Sequence, residues 1–321
     1  MLRCVMEMRE LTVLAGSFVG FQLLFTAVSP RLSSSITPGY TQLPSTKVTE
    51  WNSRFVSTVH ALIVGLLCLY ILWFDDAVNT NPICYLGDQT GEEISVGHVT
   101  RVVADRRCLP VDGGRLPLTI EHTFDSCELC WGDPSLVKLN VAITCGYLLY
   151  DLVLLACNWG TMGDSFFVCH HLAAIYAYTY VLTRGVLPYF ANFRLISELS
   201  TPFVNQRWFF EALKYPRSHQ LVVLNGIAMT AVFFMVRIAV MPSYWARVFA
   251  SFGTRDFELL GLGAQVAWIM SCVVLDILNI AWMYKIARGC YKVLSGTLGQ
   301  KYQSIEPQAS SFRNHSKKHT D

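Results

Sequence analysis

Two adjacent histidines, His170 and His171, open a run from Val168 to Leu182 whose other residues are almost all apolar or aromatic. Arg194 and Glu198 follow in the next apolar run, and Asp151 stands in the one before. An imidazole in a lipid-lined cavity takes a proton from an amine or hydroxyl, or is itself acylated by a thioester; a carboxylate beside it orients the ring and stabilises its cationic form. Asp151 and Glu198 are the candidate partners. Neighbouring residues on a helix are about 100° apart, so both histidines cannot face one point. The spacing predicts that one meets a substrate and the other packs on or bonds to a neighbouring helix. The competing role for these groups is inter-helix hydrogen bonding, worth about 0.6 kcal/mol per contact. Ionisable side chains at bilayer depth cost about 2.5–3.5 kcal/mol each on insertion scales, so they are expected to face a bundle interior.

The same principle sorts the other polar residues. Arg194 and Glu198 stand at i, i+4, where side chains of an α-helix meet, so either they form a structural salt bridge or Glu198 is free for catalysis. Pro202 is expected to kink or end its helix, freeing carbonyls that Ser200 or Thr201 can satisfy or that line a cavity. Arg237 lies near the end of an apolar run, from which it either snorkels to the headgroups or binds a ligand. Asp276, with Asn279 one turn on, is expected to face the bundle.

These residues need an apolar scaffold, and the composition supplies one. Of 321 residues, 53% are hydrophobic and only 15% charged, against about 25% charged in ordinary soluble domains. The fold class is all-α, a multi-pass transmembrane helical bundle. Spans are expected at Leu11–Ser29, Val56–Phe74, Leu139–Cys157, Phe166–Thr183, Leu187–Val204, Leu221–Met241 and Leu259–Tyr284, seven in all. The first is read as a retained helix ended by Pro30; a cleaved signal would have a shorter apolar core. Residues 1–50 hold that helix and a polar link, and 289–321 form a polar tail expected to be disordered. A net charge of +2 with dispersed basic residues gives no reason to expect a nucleic-acid partner. No Walker, Rossmann or zinc-finger pattern occurs. With seven spans, the basic links Arg31–Arg54 and Arg207–Arg217 and the basic tail place the C-terminus in the cytosol and the N-terminus in the lumen.

Between the second and third spans lies a stretch of turn residues and acids with Cys84, Cys108, Cys127 and Cys130. Cys127 and Cys130 form a C-x-x-C, but no standard zinc spacing completes it, and no metal is expected. Disulfides in a lumenal loop and idle thiols are both open. Cys68, Cys145, Cys157, Cys169 and Cys272 fall inside apolar runs, where buried thiol is the expectation.

Six motifs carry a family resemblance: Trp51-Asn52-Ser53-Arg54, Gly146 to Asp151 (GYLLYD), His170-His171-Leu172, Glu198 to Phe203 (ELSTPF), Asn205-Gln206-Arg207-Trp208 and Arg237-Ile238. In this order they resemble the TLC family, from about Trp51 to Arg288. The resemblance implies an endoplasmic-reticulum membrane protein linked to lipid metabolism and sensing. It makes membrane lipids the expected partner, His170, His171, Asp151 and Glu198 the candidate catalytic set, and Tyr147, Arg194, Asn205 and Arg237, in or beside the motifs, the candidate lipid-binding residues. The chain departs from the family twice. Residues 83–130 look like an insert. The ceramide synthases, enzymes of the family, carry His-Asp and a further acid after their histidine pair, where this chain has Ser197-Glu198 and Thr201.

Three function classes follow. A non-catalytic lipid binder or sensor needs only a cavity with a few polar groups and no cofactor. An acyltransferase would use the histidine pair with acyl-CoA as co-substrate, and the missing His-Asp weighs against it. A transporter would need interrupted helices in inverted repeat, of which the sequence shows no sign. The first ranks highest, and lipid homeostasis covers the first two.

Overall fold

The computed structural model describes Met6 and residues 8–74 and 135–315, with side chains through Lys292 and at Ser295. The expected insert at 83–130, its four cysteines and the last six residues lie outside the described residues. Within them the regular structure is helical. Six helices are long and apolar enough to cross a membrane: Met8–Ile36 (α1), Ser45–Phe74 (α2), Ser135–Cys157 (α3), Ser165–Arg184 (α4), Gln220–Ser251 and Gly261–Lys292. The surface is inverted relative to a water-soluble bundle. Leu66, Leu224, Leu262, Val266, Met270 and Ile277 face outward, while Asn52, His60, Asn140, Asp151, His171, Asn192 and Asp276 are buried. Only an apolar surround makes that distribution favourable.

The expected fifth span takes a different form. Pro188–Leu195 (α5), a 3₁₀ turn at Ile196–Ser200 and Thr201–Ala212 (α6) make one helical run that is too polar to stand among the six. It runs antiparallel along α2. Asn192 and Cys68 exchange hydrogen bonds, the Cys68 thiol to the Asn192 carbonyl at 2.9 Å and the Asn192 amide to the Cys68 carbonyl at 3.3 Å. A β-carbon at Gly65 would come within 2.7 Å of Leu199. Asn205 bonds to Arg54 and Thr58, and Trp51 packs on Phe209 with ring centroids 4.4 Å apart. From Trp51 to Cys68 α2 rises about 26 Å, close to the ~30 Å hydrocarbon core. The polar run therefore extends along most of the length of α2, a distance comparable with the depth of the hydrocarbon core, alongside the six apolar helices.

Pro30 and Pro202, expected to end or bend helices, instead mark where each changes pitch, and Pro242 does the same. Pro30 follows a π turn at Leu24–Val28 and the helix continues to Ile36, so it does not end the first span. Pro202 follows the 3₁₀ turn and enters α6. Pro242 follows the π turn Phe234–Ile238, which separates Gln220–Phe233 (α7) from Met241–Ser251 (α8). Proline lacks an N–H and clashes with the carbonyl four residues back; a wider or tighter turn just upstream relieves both faults. The last helix, Gly261–His315 (α9), also runs beyond the expected boundary at residue 289. A nucleated helix propagates cheaply, and the tail starts from one already formed.

The core centres on α3, which is apolar nearly all round and packs against α1, α2, α4 and α5. Its contact with α1 depends on Gly146, where a β-carbon would lie 2.5 Å from the Leu14 carbonyl oxygen. Cys68, Cys145 and Cys272 are buried as expected, but Cys157 and Cys169 are exposed, because the apolar faces they share point away from the bundle.

Candidate functional site

Successive residues on α4 send the two histidines to different places. His171 turns toward α3, where its Nε2 lies 3.0 Å from Asp151 Oδ2 with the N–H axis angled off the oxygen. Its Nδ1 lies 2.7 Å from the Phe167 carbonyl oxygen one turn back. A carbonyl can only accept, so Nδ1 carries a proton and the ring is fixed by its own helix. Behind this pair sits an aromatic cluster. The His60 ring stacks on Tyr147 at 3.8 Å and 11°, and Phe21 meets both edge-on. Among the described residues neither ring nitrogen of His60 has a hydrogen-bond partner.

His170 points toward α9, edge-on to Trp282 with ring centroids 5.7 Å apart. It lines a cleft enclosing about 630 Å³, mouth included, between α3, α4, α5, the 3₁₀ turn, the second π turn, α8 and α9. Glu198, Arg194 and Arg237 line the same cleft. A second cleft of about 460 Å³ adjoins it, sharing Ala174, Tyr178, Arg194, Tyr244 and Leu275, and is otherwise mostly apolar, with Leu187, Phe190 and Trp268 among its walls.

The two arginines are held differently. Arg194 makes a two-pronged ion pair with Asp276, and its guanidinium lies 4.0 Å from the Tyr244 ring centroid. Asp276 also accepts from Trp245 Nε1 at 2.7 Å. Arg237 donates Nε–H to Ser200 Oγ and Nη1–H to Asn279 Oδ1, both at 2.9 Å, over the Phe233 ring. Among the described residues it has no carboxylate within ion-pair distance.

The expected salt bridge between Arg194 and Glu198 does not form. The chain between them is tightening into a 3₁₀ turn, whose three residues per turn carry i and i+4 onto different faces. Glu198 instead accepts from Thr201 Oγ1 at 3.1 Å. Arg237, for which snorkelling was an open expectation, is only 7% exposed. Asp276 faces the bundle as expected. Of the candidate catalytic residues, His170 and Glu198 reach the cleft, whereas His171 and Asp151 pair behind it, so the four do not share one cavity. Of the candidate lipid-binding residues, Arg194 and Arg237 line it. Tyr147 belongs to the aromatic cluster, and Asn205 ties α6 to α2. Sequence reasoning missed Tyr178 and Tyr244 as cleft residues, since an aromatic in an apolar run carries no signal of which way it points. Asn279, one turn from Asp276, was the more legible of the partners.

Fold and cleft define a multi-pass helical membrane protein with a polar cavity inside the bundle. Comparison with known proteins refines the class: the TLC domain of the TRAM, LAG1 and CLN8 proteins matches residues 50–288, so the chain belongs to the TLC domain family. TLC domain-containing protein 4-B of Danio rerio is 65% identical over 300 residues, 93% of this chain and 96% of the relative. TLC domain-containing protein 4 of Homo sapiens is 43% identical over 89% of this chain and 90% of its own length. Topoisomerase I damage affected protein 4 of Saccharomyces cerevisiae is 28% identical over 46% of this chain and 53% of its own. No solved structure matches the chain.

Proposed function

We propose that the chain binds a membrane lipid in the cleft beside His170 and through it takes part in lipid homeostasis, in the endoplasmic-reticulum membrane that the family resemblance implies. One observation carries the choice of binder over enzyme. The histidine paired with an acid, His171, does not line the cleft, and the histidine that does, His170, has no acid within ion-pair distance among the described residues. A general base or an acyl-accepting imidazole works best when a carboxylate orients it toward substrate. A binding site needs only a cavity with a few polar groups, which this cleft has.

The test compares the lipids of membranes lacking the protein with those rescued by wild type or by the double variant His170→Ala, His171→Gln, whose amide keeps a donor opposite Asp151. Purified protein is examined in parallel by native mass spectrometry for retained lipid. The binder reading expects retained lipid and at least partial rescue by the double variant. No rescue, together with acyl transfer from acyl-CoA by the wild type alone, would replace it with the acyltransferase reading.

A further inference from the structure

We propose that the cleft is selective for single-chain lipids that carry an oxyanion, with Arg237 holding the carboxylate or phosphate and the adjoining apolar cleft holding the acyl chain. This rests on the lipid-binding reading above and adds the ligand's class and its orientation.

Of the two arginines that line the cleft, only Arg194 has a carboxylate within ion-pair distance among the described residues. Arg194 is neutralised by Asp276 through two hydrogen bonds and is further covered by Tyr244. Arg237 is as deeply set but is held only by the neutral side chains Ser200 and Asn279. Those bonds use two of the five guanidinium N–H groups, leaving both on Nη2 without a described partner. Glu198 lines the same cleft but lies beyond ion-pair distance, one of its carboxylate oxygens accepting from Thr201. A guanidinium fixed in a cavity at bilayer depth is costly unless something of opposite charge meets it. Its planar fork suits carboxylate and phosphate oxygens. Arg237 also sits on the π turn Phe234–Ile238, and such turns are frequent at functional sites.

The apolar part of the ligand follows from the second cleft. It adjoins the first, sharing Ala174, Tyr178 and Tyr244 as walls, and offers Leu187, Phe190 and Trp268, residues suited to a hydrocarbon chain. One head position and one side branch accommodate one chain. A free fatty acid and a lysophospholipid share this chemistry, differing in the oxyanion.

The test measures binding of palmitate, lysophosphatidic acid bearing one palmitoyl chain, and uncharged monopalmitoylglycerol to the full-length protein in neutral detergent. Wild type is compared with Arg237→Gln and Asn279→Asp. The second variant places a carboxylate 2.9 Å from Nη1, neutralising Arg237 in place without removing it, so it tests the charge even where Arg237→Gln fails to fold. The proposal expects at least one oxyanion lipid to bind tenfold or more tighter than monopalmitoylglycerol. Both folded variants should erase that preference, and the tighter anion identifies the source as carboxylate or phosphate. Equal binding of all three lipids, or a preference that survives Asn279→Asp, overturns the proposal while leaving lipid binding intact. Retention of two-chain lipids alone does the same. Absence of any bound lipid overturns the lipid-binding function as well.

Discussion

Asp151 and His171 illustrate how little of a residue's role is set by its type. The pair is buried within α3 and α4 and lies outside the cleft, so its expected contribution is to the stability of their packing. Removing one member of a buried pair leaves the other without its partner and costs about 3–5 kcal/mol. Asp151→Ala should therefore lower the melting temperature in detergent strongly, and Asp151→Asn, which keeps a hydrogen-bonding group there, less so. An unchanged melting temperature for Asp151→Ala would show that the pair contributes nothing to packing. His170→Ala should behave differently, since among the described residues the Nδ1 of His170 has no hydrogen-bond partner to lose. Its melting temperature should stay near wild type while lipid binding changes; a drop as large as that of Asp151→Ala would make His170 a packing residue.

At the scale of helices, close approach and changes of pitch do the positioning. Gly146 lets α1 lie against α3, because the first atom a side chain would meet is a backbone carbonyl that cannot rotate away. Gly146→Leu should force α1 off the bundle and destabilise it by at least the 1–3 kcal/mol or so typical of overpacking. Gly16→Leu is the matched control: nothing lies within 4 Å of its would-be β-carbon, and thermal unfolding should hardly change. Equal effects would mean that α1 does not pack through Gly146. The turns before Pro202 and Pro242 serve the cleft directly. The 3₁₀ turn carries Glu198, the π turn carries Arg237, and the two elements meet through the bond from Arg237 to Ser200.

For the whole molecule, two expectations concern sidedness and the segment between α2 and α3. If the polar run α5–α6 crosses as a seventh span, the basic links and the basic tail place the C-terminus in the cytosol. Protease added to intact microsomes should remove a C-terminal tag and spare an N-terminal one; a protected C-terminal tag would invert the arrangement or change the count. Helices α2 and α3 pack on each other directly, with Asn140 donating to the Val64 carbonyl. Loop closure varies only slowly with loop length, so deleting residues 83–130 should leave the protein monodisperse with a similar melting temperature. Loss of expression would show that those residues hold the bundle together.

The sequence by itself determined that the chain is a helical membrane bundle, because long apolar runs have no other stable form in lipid. It also identified His170, Glu198, Arg194 and Arg237, since ionisable groups in such runs stand out whatever their surroundings. It did not decide their partners. Arg194 and Glu198 are four apart in the chain, but a 3₁₀ turn separates them, and Asp276, far along the chain on α9, takes the arginine instead. The two histidines are neighbours in sequence yet serve different places, one in the cleft and one against Asp151. Helical pitch fixes the angle between adjacent side chains, whereas which neighbour each one meets depends on how the helices pack. Only the tertiary structure decided that.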